Sequence, residues 1–138
     1  GGGTSYSMLA TAGEGYKVLA LRGQKLPALQ AFHWMTAGNA QAIGLGGRIG
    51  RVAPGFEADF AVLDSGATAA MRRRLERIET LEEELFLLMT MGDDRSVAAT
   101  YAAGRCVHTR TGAPPGLPPL LHGARDERRR EMEASAQQ

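Results

Sequence analysis

The 138-residue sequence predicts an α/β chain: a helical first third, then short strands around one inserted helix, then a tail of different composition. Three observations carry that class. Apolar residues recur every three or four positions over 8–19, 29–43 and 71–88, the spacing that lines one face of a helix. A mostly apolar run from Ala58 to Leu63, interrupted by Asp59, is bounded by Pro54-Gly55 and Asp64-Ser65-Gly66, which are turn-forming residues. Two strand-like runs, Val97–Tyr101 and Arg105–Thr109, flank Ala103-Gly104 in the manner of a hairpin.

Each element has its own local reason. Ser5 or Ser7 caps a first helix in which Met8, Ala12, Tyr16 and Leu19 form the stripe and Gly23 ends it. Gly13 and Gly15 each cost about 1 kcal/mol there relative to Ala, so this helix needs packing partners. Leu26-Pro27 opens a second helix with Leu29, Phe32, Thr36, Ala40 and Ile43 on one face, closed by Gly44 and Gly46. Its Ala37, Gly38 and Ala40 are small enough for another backbone to approach. After Gly46-Gly47, Ile49 to Val52 reads as a short strand, Pro54-Gly55 as a tight turn, and Ala58 to Leu63 as a mostly buried strand. The longest helix is expected over 68–91, with Met71, Leu75, Ile78, Leu81, Leu85 and Leu88 inward. Gly92-Asp93-Asp94 turns the chain into the hairpin. Residues 111–138 form a proline-rich linker and a charged tail that reads as disordered, with no apolar periodicity to bury.

Composition excludes several function classes. Net charge is +1 from 16 basic and 15 acidic residues, so no overall field draws the chain to nucleic acid or an anionic membrane. Arg72-Arg73-Arg74 and Arg128-Arg129-Arg130 both sit beside acids, as on a solvated helix face. No apolar run reaches the ~20 residues of a membrane span, and no charged-then-apolar leader opens the chain. The lone Cys106 excludes an internal disulfide framework and suits a reducing cytoplasm.

Few residues suggest chemistry. His33, His108 and His122 are far apart, and none forms a His-x-His or His-x-x-x-His pair. A zinc site needs three or four converging ligands. The base deaminases that hold zinc through a Pro-Cys-x-x-Cys pair are excluded by the single cysteine. Asp93-Asp94 has the look of a carboxylate pair, but adjacent acids before an Arg in a turn are ordinarily solvated. The amides of Gly1-Gly2-Gly3-Thr4-Ser5, ahead of a helix, offer a weak anion-binding signal.

Longer motifs are more specific. Gly1-Gly2-Gly3-Thr4-Ser5-Tyr6-Ser7-Met8-Leu9, then Pro54-Gly55-x-Glu57-Ala58-Asp59-Phe60-x-Val62-Leu63-Asp64, then Glu83-Glu84-Leu85-Phe86 and Gly92-Asp93-Asp94-Arg95, resemble the C-terminal third of guanine deaminases of the metal-dependent amidohydrolase superfamily. The second motif is shared by many amidohydrolases, and the others point more narrowly to guanine deaminase. The resemblance implies an incomplete fold: residues 1–46 as the closing helices of a (β/α)₈ barrel, and residues 47–110 as the end of its small flanking β domain with the inserted helix.

In the family, a metal, expected to be zinc, activates the water that converts guanine to xanthine and ammonia in purine catabolism. The resemblance implies a homodimeric, cytoplasmic parent. Its last metal-site Asp is expected just before Gly1, and no catalytic, substrate-binding or metal-ligating residue carries over to this chain. Gly1, Gly2, Gly3 and Thr4 are expected to form a loop beside the metal pocket. The chain alone is expected to be inactive, and partly molten or self-associating, because Met8, Leu19, Phe32, Ile43 and Leu85 would lack partners. Two alternatives stay open: an amidohydrolase acting on another aminated or chlorinated ring, and a non-catalytic module whose contact surface is the Leu75-to-Leu88 stripe.

Overall fold

A computed structural model describes residues 5–111. The first helix, α1 (Met8–Leu21), begins where Ser7 Oγ accepts a hydrogen bond from the Ala10 amide at 3.2 Å. It stops at Gly23, whose φ of +70° belongs to the left-handed region that favours glycine. The second helix enters after Pro27 as α2 (Ala28–His33), widens into one π turn (Trp34–Gly38) and resumes as α3 (Asn39–Ala42). Its inward face is Ala28, Ala31 and Ala40 with Phe32 and Met35 packed beside them; of the expected stripe Phe32 and Ala40 turn inward, while Leu29, Thr36 and Ile43 face solvent.

No strand forms at Ile49–Val52, contrary to expectation. The Ile49 amide donates to Leu45 O at 3.1 Å, which turns the chain instead of extending it, and Gly50 takes φ +90°. A Cβ on Gly50 would stand 2.7 Å from Ala40 Cβ and 3.0 Å from Ala37 Cα. This is the close backbone approach that the small residues of the second helix anticipate.

The sheet is antiparallel with order β1-β2-β3: β1 (Phe60–Leu63), β2 (Val97–Ala102) and β3 (Arg105–Thr109). Phe60 stacks on its cross-strand partner Tyr101, ring centroids 4.5 Å apart. The β1 strand is shorter and more exposed than expected, because it lies at the sheet's edge. Ala103 and Gly104 both have positive φ, +48° and +75°, matching the twist of a two-residue hairpin. The Asp59 carboxylate accepts from the Ala103 amide at 2.6 Å and Ala58 O from the Gly104 amide at 3.0 Å. The Glu57 carboxylate accepts from Arg48 Nη2 at 2.5 Å. Glu57, Ala58 and Asp59 thus act structurally: they pin the loop and the hairpin turn.

The expected helix over 68–91 is two helices, α4 (Ala69–Leu75) and α5 (Leu81–Met91). The break has a local cause. Thr80 Oγ1 accepts from the Glu83 amide at 3.3 Å, while Glu83 Oε2 accepts from the amides of Glu79 and Thr80 at 3.0 and 3.2 Å. This reciprocal box starts a new helix and redirects the chain. Those backbone donors, Glu79 first, hold the Glu83 carboxyl below its ordinary range. Thr80→Ala removes one side of the box and is expected to cost about 1 kcal/mol in chemical denaturation, with Thr80→Ser nearly neutral.

Helix α5 is the centre of the core. Leu87, Leu88 and Met89 are buried, and α1, α2 and α4 all pack on it. The crossing with α1 is tight at Gly13, where a Cβ would stand 2.8 Å from Met89 O. Tyr16 meets Phe86 edge-to-face at 5.3 Å. Leu19, Phe32 and Leu85 therefore have partners within this chain, contrary to expectation, whereas Met8 and Ile43 remain 45% and 67% exposed. Leu75, Ile78, Leu85 and Leu88 of the Leu75-to-Leu88 stripe likewise pack in the cluster of Leu9 and Met71, whereas Leu81, expected inward, is 64% exposed at the first turn of α5.

Candidate functional site

The expected near-site loop, Gly1, Gly2, Gly3 and Thr4, lies outside the described residues, as do His122 and residues 112–138. What the structure describes is the point where that loop enters α1. Ser5 Oγ accepts from the Ser7 amide at 3.0 Å, and Thr11 Oγ1 donates to Ser7 O at 2.9 Å. Ser7 is thereby held from both sides at the start of α1.

The two described histidines do not converge: His33 is exposed at the end of α2 and His108 is exposed on β3. Among the described residues, no group of three or more His, Cys, Asp and Glu side chains could hold a metal ion. Those residues therefore do not fit the metal that the family implies.

The carboxylates are committed elsewhere. Asp93 caps the short 3₁₀ turn Asp94–Ser96 by accepting from the Arg95 amide at 2.9 Å, and it pairs with Arg95 Nη2 at 2.6 Å. The Arg95 side chain is the main reason its carboxyl falls below the usual range. Asp93-Asp94 is thus a capping segment rather than an acid–base pair.

A second cluster joins distant parts of the chain. Asp64 Oδ2 accepts from Arg110 Nη2 at 2.5 Å, and Asp64 Oδ1 accepts from the Gly66 amide at 2.9 Å. Arg110 Nη1 donates to Arg95 O, and Arg72 Nη1 donates to Gly66 O at 2.8 Å. Next in sequence, Ser65 Oγ donates to Glu84 Oε1 at 2.5 Å. The end of β1, the segment after β3, α4 and the first turn of α5 meet here. Arg110 dominates the electrostatics and lowers the Asp64 carboxyl despite partial desolvation. Sequence reasoning placed Asp64 at a strand end and at the close of the family motif but passed over Arg110; a separation of 46 positions leaves no local signal.

Asp64, Glu83 and Asp93 are all shifted down. A general base working near neutral pH needs the opposite shift. Tyr101 is pushed up, chiefly by desolvation, but its ring is taken up in the stack with Phe60. A groove of about 550 Å³ runs between Leu26–Ala28 and α5. Its rim carries Arg74 and Arg77 opposite Glu82 and Glu83, and apolar Ile78 and Phe86 also line it, so no single ligand charge is favoured. No helix among the described residues is long and apolar enough to cross a membrane.

Known proteins match the chain closely. The amidohydrolase family matches residues 4–108. Guanine deaminase of Escherichia coli strain K12 is 46% identical over 110 residues, which are 80% of this chain and 25% of that protein. A protein described as a probable guanine deaminase in Deinococcus radiodurans is 31% identical over 113 residues, again 80% of this chain and 26% of the relative. The solved structure of E. coli guanine deaminase superposes with a TM-score of 0.76 at 45% identity, covering 78% of this chain and 25% of that one. Guanine deaminase from Bradyrhizobium japonicum gives 0.71 at 26% identity, over 80% and 30%. The chain spans about a quarter of the length of the curated relatives it matches. The match over residues 4–108, more than half of the sequence, makes this chain a member of the amidohydrolase family.

Proposed function

We propose that this chain is the C-terminal portion of a guanine deaminase-like hydrolase. The whole protein adds water to guanine and releases ammonia and xanthine, a step of purine catabolism. The observation that carries this reading is the 46% identity over 110 residues to a guanine deaminase, supported by the superposition at TM-score 0.76. Residues 1–46 are assigned to the closing helices of the (β/α)₈ barrel, residues 47–110 to the end of the small β domain, and residues 111–138 to a tail beyond both. The whole enzyme is read as a cytoplasmic homodimer.

Metal chemistry, with zinc as the proposed ion, supplies the activated water in this class of hydrolysis. The described residues fit no metal, so no step of the reaction is assigned to them. Their contribution is positional. Ser7 and Thr11 fix the start of α1, and α1 is anchored on α5 through Gly13 and Tyr16. Gly1, Gly2, Gly3 and Thr4, proposed to border the metal pocket, precede this anchored segment in the sequence.

A chimera tests the reading directly. Residues 5–111 replace the matching quarter of E. coli guanine deaminase, and xanthine and ammonia are measured with guanine, adenosine and a chlorotriazine as substrates. Turnover of guanine is expected. A folded chimera without xanthine formation would count against the proposal, and preference for another ring would move it to a sister activity. The 138-residue chain by itself is expected neither to deaminate guanine nor to retain stoichiometric zinc after dialysis. Chelator-sensitive turnover by the chain alone would overturn that expectation.

A further inference from the structure

The groove between Leu26–Ala28 and α5 has an apolar floor and charged walls. Leu26 and Leu87 are buried beneath it, Ile78 and Phe86 are half-buried, and Met91 is 41% exposed. Arg74 and Arg77 stand on one wall, at the end of α4 and in the turn after it, and Glu82 stands on the first turn of α5. All three are exposed, and among the described residues none of them enters an ion pair. The Glu83 carboxylate, by contrast, is committed to the amides of Glu79 and Thr80. Two guanidiniums and one carboxylate therefore surround apolar surface. Their electrostatic complement is a segment that carries both signs and an apolar side chain among its acids.

Such a segment lies in this chain's own sequence. In Arg128-Arg129-Arg130-Glu131-Met132-Glu133, Met132 sits between two carboxylates and directly after three guanidiniums. It falls outside the described residues and beyond residue 108, where the amidohydrolase match ends, so it is no part of the region shared with the family. The end of the sheet and the groove are neighbours. Arg110 pairs with Asp64, and Arg72 of α4 donates to Gly66, two positions further on. At the helical rise, Arg77 lies only about 8 Å beyond Arg72. Nineteen residues separate Thr111 from Glu131, enough for roughly 60 Å of extended chain. Exposed ion pairs are individually weak, but a tether of this length sets an effective concentration on the order of millimolar.

We propose that residues 128–133 of this chain occupy the groove, with Glu131 and Glu133 on Arg74 and Arg77, Met132 against Ile78 and Phe86, and Arg128 to Arg130 facing Glu82. This docking does not depend on which ring the whole enzyme hydrolyses.

The test introduces a photo-crosslinker, Met132→p-benzoylphenylalanine, into the full 138-residue chain and maps the adducts by mass spectrometry. Adducts are expected at the groove, on residues 26–28 and 74–91, and within single copies when light and heavy isotope-labelled chains are mixed. Arg74→Glu/Arg77→Glu should lower their yield about fivefold or more, because like charges then face each other. Adding Glu131→Arg/Glu133→Arg should restore it, which a merely misfolded variant would not do. Adducts scattered over the chain, a yield indifferent to the first reversal, or a loss that the second reversal fails to restore would overturn the docking. Adducts joining differently labelled copies would overturn it as well, and would make the groove a contact between copies.

Discussion

Met71→Ala is expected to destabilise the chain by about 2–5 kcal/mol in denaturant unfolding, the cost of emptying a fully enclosed methionine site. Met71 is 0% exposed and packs among Leu9, Leu87 and Leu88, with Ser96 Oγ at 3.9 Å from its sulfur. It is the point where α4, α5, α1 and the entry to β2 share one contact. The cavity would therefore loosen the helices and the sheet together. Met71→Leu conserves volume and should cost less than about 1.5 kcal/mol. If Met71→Ala behaved like the Leu variant, or the wild-type chain melted without a cooperative transition, the internal core around α5 would not be what holds the chain together.

Arg110→Ala is the second large effect. The pair with Asp64 has side-chain exposures of only 22% and 24%, so its removal strands a half-buried carboxylate. Losing a hydrogen bond to a charged group in that setting costs about 1.5–3 kcal/mol. The pH dependence has a definite sign. Arg110 lowers the Asp64 carboxyl in the folded chain, so the stabilisation is complete above the ordinary aspartate value of about 3.9. It fades as pH falls through the depressed value, where the folded state must take up the proton. Wild type should accordingly lose stability more steeply below about pH 4 than Asp64→Asn, in which nothing titrates at that position. An identical acid limb in the two proteins would mean that the ion pair is not formed in solution.

These two sites also show which parts of the fold were legible in the sequence. The Ser7 cap, the Gly23 stop, the Pro27 entry and the Ala103-Gly104 hairpin were all readable, because each is a property of a few adjacent residues. The break between α4 and α5 was written locally as well, in the box of Thr80 and Glu83, but the apolar period runs through Leu75, Ile78, Leu81 and Leu85 and masks it. The strand expected at Ile49–Val52 failed for another reason. Its β-branched residues favour extension, yet the turn closed by Leu45 O and the approach of Gly50 to Ala40 prevail. For function, the motifs identified the family, and the structure accounts for one of them mechanically: Ala58 and Asp59 hold the hairpin turn, and Glu57 pins the loop before it.

The sequence by itself determined both ends of α1, the entry of the second helix at Pro27, the hairpin and the membership in the amidohydrolase family, since these rest on short-range patterns. Only the tertiary structure decided that α5 is the hub, that Asp64 belongs to Arg110, and that Leu19, Phe32 and Leu85 turn inward while Val18, Leu21 and Trp34 stay outside. Partners tens of residues apart leave no periodic trace in a single chain. Which side of an amphipathic helix is covered depends on what else is present to cover it.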